Sequence, residues 1–263
     1  MKKIILILLI CLTSLNFFNI TNAKMYRIGT TFEKEIKFTN KFVLPLSDGK
    51  WVAVDKYSFF YYFPFKGNAI ARLENNEIME LIWVEKANLS GESMGLIDQA
   101  VNEIVFKDKY DGCYERPEYF YLNFYRKGST FNCLIVTHAV PEKEIYDPDD
   151  PELRNSNSQI KKWIREKSIE LPKIMLGSSH LYFSRLVYGK IYGVSYSIDP
   201  SILNGPEISF FTEESSEYHK YNIKNYPEHK RIMQKWLSIS KNRHKVFEKD
   251  VKAKERHLLN LNN

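Results

Sequence analysis

An α+β fold, mainly antiparallel sheet with packed helices and a long C-terminal helix, is the architecture this sequence predicts. Three observations carry that expectation. Strand-like runs arrive in blocks instead of alternating with helices, which argues against a doubly wound parallel sheet. The 263 residues are 44% hydrophobic and 14% aromatic, enough apolar surface to fill a core and too much for a disordered chain. The C-terminal stretch carries one narrow apolar stripe at helical spacing.

Taken in order, residues 27 to 89 read as antiparallel strands. One covers Lys37 to Leu46, and Trp51-Val52-Ala53-Val54 follows a Ser47-Asp48-Gly49 turn. Tyr57 to Phe65 is an aromatic run. Asn68 to Leu73 and Glu77 to Lys86 flank Glu74-Asn75-Asn76, the residues of a tight hairpin turn. Ser90 to Gly95 breaks the pattern. Leu96, Ile97, Ala100, Val101, Ile104 and Val105 then recur at helical spacing. A hairpin is expected over 119 to 140, a loop at Asp147 to Glu152, and a helix over 156 to 169. Ile174 to Tyr188 and Ile191 to Ile198 form a further hairpin about Gly189-Lys190. The final helix runs from about 226 to 261, with Pro227 suited to its first turn and Ile232, Trp236, Ile239, Val246 and Val251 as its stripe. No linker divides the chain, so residues 24 to 263 read as one domain.

The chain opens with Lys2 and Lys3, an apolar run from Ile4 to Leu12, and small residues at Thr21 and Ala23. That is the pattern of a secretory signal, with cleavage expected after Ala23. The expected compartment is periplasmic or extracellular, which makes nucleic acid an unattractive partner. Cys113 and Cys133 are then a natural disulfide, tying the far strand of the 119 to 140 hairpin to the segment that leads into it.

Charge is uneven along the chain. From Lys220 onward twelve Lys and Arg face four Asp and Glu, a balance of +8, whereas residues 24 to 219 carry −4. The last helix is therefore a basic arm on a mildly acidic body. Two readings follow: an anionic envelope component as partner, or a solvated helix whose basic face meets its own domain.

One segment looks catalytic. Gly91-Glu92-Ser93-Met94-Gly95 matches the G-x-S-x-G nucleophile elbow of serine hydrolases, with His180 and Asp147 as the partners that chain order allows. The strands before it lack the crossover helices of a hydrolase sheet, and no oxyanion segment accompanies it. The plainer reading makes Ser93 the cap of the helix that follows. Gly177-Ser178-Ser179-His180 sets hydroxyls beside an imidazole, but neighbours on a strand face opposite ways. The six histidines form no H-E-x-x-H, and no Gly-rich phosphate loop occurs, so neither metal nor cofactor is expected.

Aromatic density is highest around Tyr57, Phe59 and Tyr61 and again around Tyr119 and Tyr121. Alternate members of a strand face opposite sides, so one set can fill the core while the other lines a groove for a sugar ring or an apolar ligand.

The segment Leu44-Pro45-Leu46-Ser47-Asp48-Gly49-Lys50-Trp51-Val52 resembles the L-P-x-G-x-W openings of uncharacterised secreted bacterial proteins, with a spacing two residues longer. That resemblance implies no activity and carries over no site residues. The expectation for function is an exported, non-enzymatic binding or structural module of the envelope. A Ser93 hydrolase and a carrier with an aromatic-lined pocket are the alternatives.

Overall fold

The computed structural model describes residues 25–39, 42–60, 64–88, 113, 115–127, 130–142, 159–184, 190–209 and 212–260. Within them the chain is α+β. An antiparallel sheet of eight strands is built from β1 (Thr31–Phe32), β4 (Trp51–Phe60), β5 (Pro64–Glu74), β6 (Glu77–Asn88), β7 (Tyr121–Lys127), β8 (Thr130–Ala139), β9 (Met175–Ser184) and β10 (Lys190–Ile198). Their spatial order is β1-β4-β5-β6-β10-β9-β8-β7. β2 (Glu35–Thr39) and β3 (Phe42–Pro45) form a separate two-stranded hairpin. The described helices are α1 (Ile160–Lys167), α2 (Pro227–Asn260) and the short 3-10 turns Pro200–Leu203 and Ile223–Asn225.

Local chemistry fixes the turns. Asn75 and Asn76 both take positive φ, 49° and 69°, and Glu74 pairs with Glu77, so the β5–β6 loop is the two-residue form that asparagine tolerates best. Asn76 also anchors the exit of α1. Its side-chain amide donates to the Ser168 carbonyl at 2.5 Å, and the Glu170 amide donates to the Asn76 carbonyl at 2.9 Å. Ser168 ends α1 in a left-handed conformation.

Three expectations about strands change. Lys37 to Leu46 is two strands, β2 and β3, not one. Trp51 to Val54 and the start of the aromatic run are one continuous strand, β4, with a bulge between Ala53 and Asp55. The end of the Tyr57 to Phe65 run, Pro64-Phe65, belongs to β5. The helix expected at 96 to 105 lies outside the described residues.

Each sheet face has its own cluster. The first face presents Ile70, Ile82, Val84, Leu134, Val136, Leu176 and Val194 beneath Ile232, Met233 and Trp236 of α2. Ile36, Phe38 and Leu44 of the β2–β3 hairpin belong to the same cluster. The second face packs Ala69, Ala71, Leu81 and Met175 against Ile160, Trp163 and Ile164 of α1. The buried Asp55 carboxylate accepts the Gln159 amide at 2.8 Å, setting the start of α1. On this face the Tyr57 ring lies across Gly67, where an added Cβ would sit 2.4 Å from the phenol, and its hydroxyl donates to Glu85 at 2.9 Å.

Cys113 and Cys133 face each other with Cα atoms 6.2 Å apart, a separation consistent with a disulfide. Cys133 is wholly buried in β8. Reduction is therefore expected to raise the intact mass by the two hydrogens of one bridge. Replacing both cysteines by serine is expected to cost about 3 kcal/mol in equilibrium unfolding, the chain-entropy value for a loop of this size. An unchanged mass on reduction would remove the bridge.

Candidate functional site

α2 gathers more ionisable side chains than any other described element. Its buried positions are His229, Ile232, Met233, Trp236, Ser240, His244, Phe247 and Val251, spaced three and four apart along one side. This stripe is rotated from the one read in the sequence: Ile239 is half-buried and Val246 is 52% exposed. Serine and histidine hold core positions that a purely apolar pattern gives to isoleucine and valine.

Trp236 is the centre of the contact. It is 1% exposed, and its indole N–H donates to the Gly177 carbonyl of β9 at 3.0 Å. The Arg243 guanidinium lies over the Tyr196 ring at 4.4 Å and the Trp236 ring at 5.2 Å. Its Nη1 is buried and without a hydrogen-bond partner, so ring faces hold the cation. Burial pushes the Tyr196 phenol up to about 12, against the opposing pull of Arg243.

Beneath the helix runs a chain of three polar side chains. Ser178 and His180 are two apart on β9 and so share the face under α2. Ser178 Oγ is 3.1 Å from His180 Nε2, and His180 Nδ1 is 3.2 Å from His244 Nδ1. The two imidazoles are stacked, centroids 5.3 Å apart. At that separation one ring donates its Nδ1 proton and the other accepts through a lone pair. Burial, then the neighbouring His244 and Arg243, push the His180 imidazole well below its usual value, so it is neutral. A hydroxyl, an imidazole and a second imidazole in line have the order of an activated nucleophile. Ser178 is only 2% exposed, however, and α2 covers it, so the arrangement serves packing.

Other histidines gather along the same seam. His138 Nε2 donates to the Glu213 carbonyl at 3.1 Å, and its ring meets His219 edge to face. Burial pushes His138 down to about 4. His229 packs edge-on against Tyr218 and Tyr226. Burial pushes the Glu217 carboxyl up, but hydrogen bonds from the Ser209 hydroxyl and amide, at 2.6 and 3.0 Å, outweigh it and hold the carboxyl low. Among the described residues no three His, Cys, Asp or Glu side chains are grouped to hold a metal ion.

Of the residues singled out in the sequence, Ser93, Asp147 and Tyr61 lie outside the described residues. His180 is placed under α2 with Ser178 and His244 as neighbours. The aromatic candidates divide between faces. Tyr57 lies on the α1 side beside Trp83, whereas Tyr121 pairs with Val136 on the α2 side and carries the Lys241 ammonium 4.3 Å over its ring. Phe59 pairs with Phe65 in β4–β5, and Tyr119 is buried just before β7. A surface cleft of about 320 Å³ lies at Glu33, Lys34 and Ser47 to Lys50, and Tyr57, Tyr119 and Tyr121 do not line it. Ser178, set aside in the sequence because neighbours on a strand face opposite ways, is two residues from His180 and so shares its face, whereas His244 and Arg243 were not anticipated. The i, i+4 spacing of Trp236, Ser240 and His244 was the available signal.

The outer side of α2 is basic. Lys230, Arg231, Lys235, Lys241, Lys245 and Lys249 are exposed. Arg231 pairs with Glu228 at 3.2 Å, and Lys241 is seated on Tyr121. Lys230, Lys235, Lys245 and Lys249 pair with no carboxylate among the described residues. No described helix is long and apolar enough to cross a membrane.

Comparison with protein-family models, curated proteins and solved structures finds no match to this chain.

The His138 environment sets a pH dependence. Its folded value near 4 lies below the ordinary 6.5, so the unfolded chain binds a proton that the folded one refuses. Stability from this group is complete above about 6.5 and is lost as pH falls toward 4, by about 3 kcal/mol in all. Urea unfolding between pH 7 and 4 is expected to show that decline, with a shallower slope in His138→Gln.

Proposed function

We propose that this protein is an exported, non-enzymatic envelope module that binds an anionic component through the outer face of α2. The observation that carries the reading is the division of the helix into two sides. Its inner side meets the sheet through apolar residues, histidines and one stacked arginine. Its lysines point outward, and four of them are free of carboxylates among the described residues. A helix whose positive charge served its own domain would turn those lysines toward the acidic body instead. Cations spaced along one exposed side raise the local concentration of a polyanion and speed its association, and added salt screens both effects.

The rigid seating of the helix supports binding from the surface, without insertion. The apolar stripe that would enter a lipid layer is already committed to the sheet. Export, from the N-terminal signal pattern, is supported by the Cys113–Cys133 geometry, since disulfides persist in oxidising compartments.

Retention on immobilised polyglutamate and co-sedimentation with phosphatidylglycerol vesicles test the reading, with Lys235→Glu, Lys245→Glu and Lys249→Glu combined. About 1 kcal/mol per cation near an anionic surface predicts at least a loss of about a hundredfold for the triple variant, and weakening of the parent by salt. Failure of the parent to bind either polyanion at low salt would overturn the reading, as would equal binding by the variant.

A further inference from the structure

We propose that the contact between His180 and His244 is a clasp that acid opens, releasing the second half of α2 from the sheet. The geometry allows one proton between the two Nδ1 atoms at 3.2 Å. A second proton on that axis would set two N–H groups nose to nose and make one ring of the stack, centroids 5.3 Å apart, a buried cation.

The surroundings make that charge costly. From β9, Ser178 offers its hydroxyl to His180. From β10, Tyr196 presents its ring edge at 5.2 Å and remains a neutral phenol. From α2 itself, Phe247 adds an apolar ring and Arg243 a fixed positive charge. Glu80 of β6 acts on Arg243, but its carboxylate is committed to the buried Arg72 at 2.7 Å and to the Ser47 hydroxyl at 2.6 Å. The charged neighbours that act on His180 are thus a second histidine and an arginine, and both oppose protonation.

The direction follows from linkage. His180 is held neutral in the docked state and titrates near 6.5 once released. Docking is therefore at full strength above about 6.5 and weakens as pH falls below it. Release would bare Phe247 and Val251 beside the outer lysines, adding an apolar side to a basic one. That consequence for binding rests on the reading of α2 as the binding arm, whereas the release itself does not.

Hydrogen exchange of the purified protein, corrected for intrinsic rates, tests release with no ligand present. Between pH 7 and pH 5 the amides of residues 240–251 are expected to lose protection by roughly 30-fold, the linkage value for one histidine over that interval. Strands β5 and β6, which open with global unfolding, are expected to stay better protected than these amides at both pH values, although their own protection falls with the charging of His138. In the double variant His180→Gln with His244→Gln the same amides are expected to change less than about threefold. Unchanged protection in the parent at pH 5 overturns the proposal. So does an equal loss in the double variant, or protection of residues 240–251 that matches that of β5 and β6 at both pH values, which would be global unfolding.

Discussion

The seat of Trp236 on β9 is the contact on which the organisation of this protein depends. An indole ring supplies a large apolar area and one obligatory donor, and both are satisfied here: the ring is buried against the sheet and the N–H reaches the Gly177 carbonyl. That bond sets the rotation of α2 about its own axis. Ile232 and Met233, one turn before, and Ser240, His244 and Phe247, in the turns after, are thereby directed at the sheet. The lysines at 235, 245 and 249 are directed at solvent by the same rotation. The basic face is a consequence of where the tryptophan docks.

Beneath the helix the core is unusually polar. Histidines at 138, 180, 219, 229 and 244 are all buried along the seam between the sheet and the C-terminal part of the chain. Neutral imidazoles suit that position, because each can donate and accept at once and still stack on aromatic rings. His180 does both, toward Ser178 and His244. The arrangement holds firmly while the rings are neutral and carries a penalty when they charge. Stability of the seam is therefore tied to the charging of histidines, which the α1 face, built on Ala69, Ala71, Ile160 and Trp163, does not contain among the described residues.

Much of the fold was legible in the chain because its signals are local. Asn75-Asn76 marked the β5–β6 turn, the 119 to 140 hairpin appeared as β7 and β8, and the terminal helix began where Pro227 permits. The strand boundaries between 37 and 65 were less legible. There, apolar and aromatic residues run through turns and strands alike, and register is set by partners distant in sequence. The site was harder still. His180 and His244 are 64 residues apart, and only the placement of α2 on β9 brings them together. Counting histidine and serine as polar hid the inner side of the helix, since Ser240 and His244 lie on it.

The central claim is that α2 is held against the sheet by its inner side, with Trp236 as the anchor. Equilibrium unfolding of Trp236→Ala at neutral pH tests it most directly. Removing a fully packed tryptophan that also makes a buried hydrogen bond predicts a loss of about 3–5 kcal/mol. A change of less than about 1 kcal/mol, the range of ordinary surface substitutions, would contradict the account.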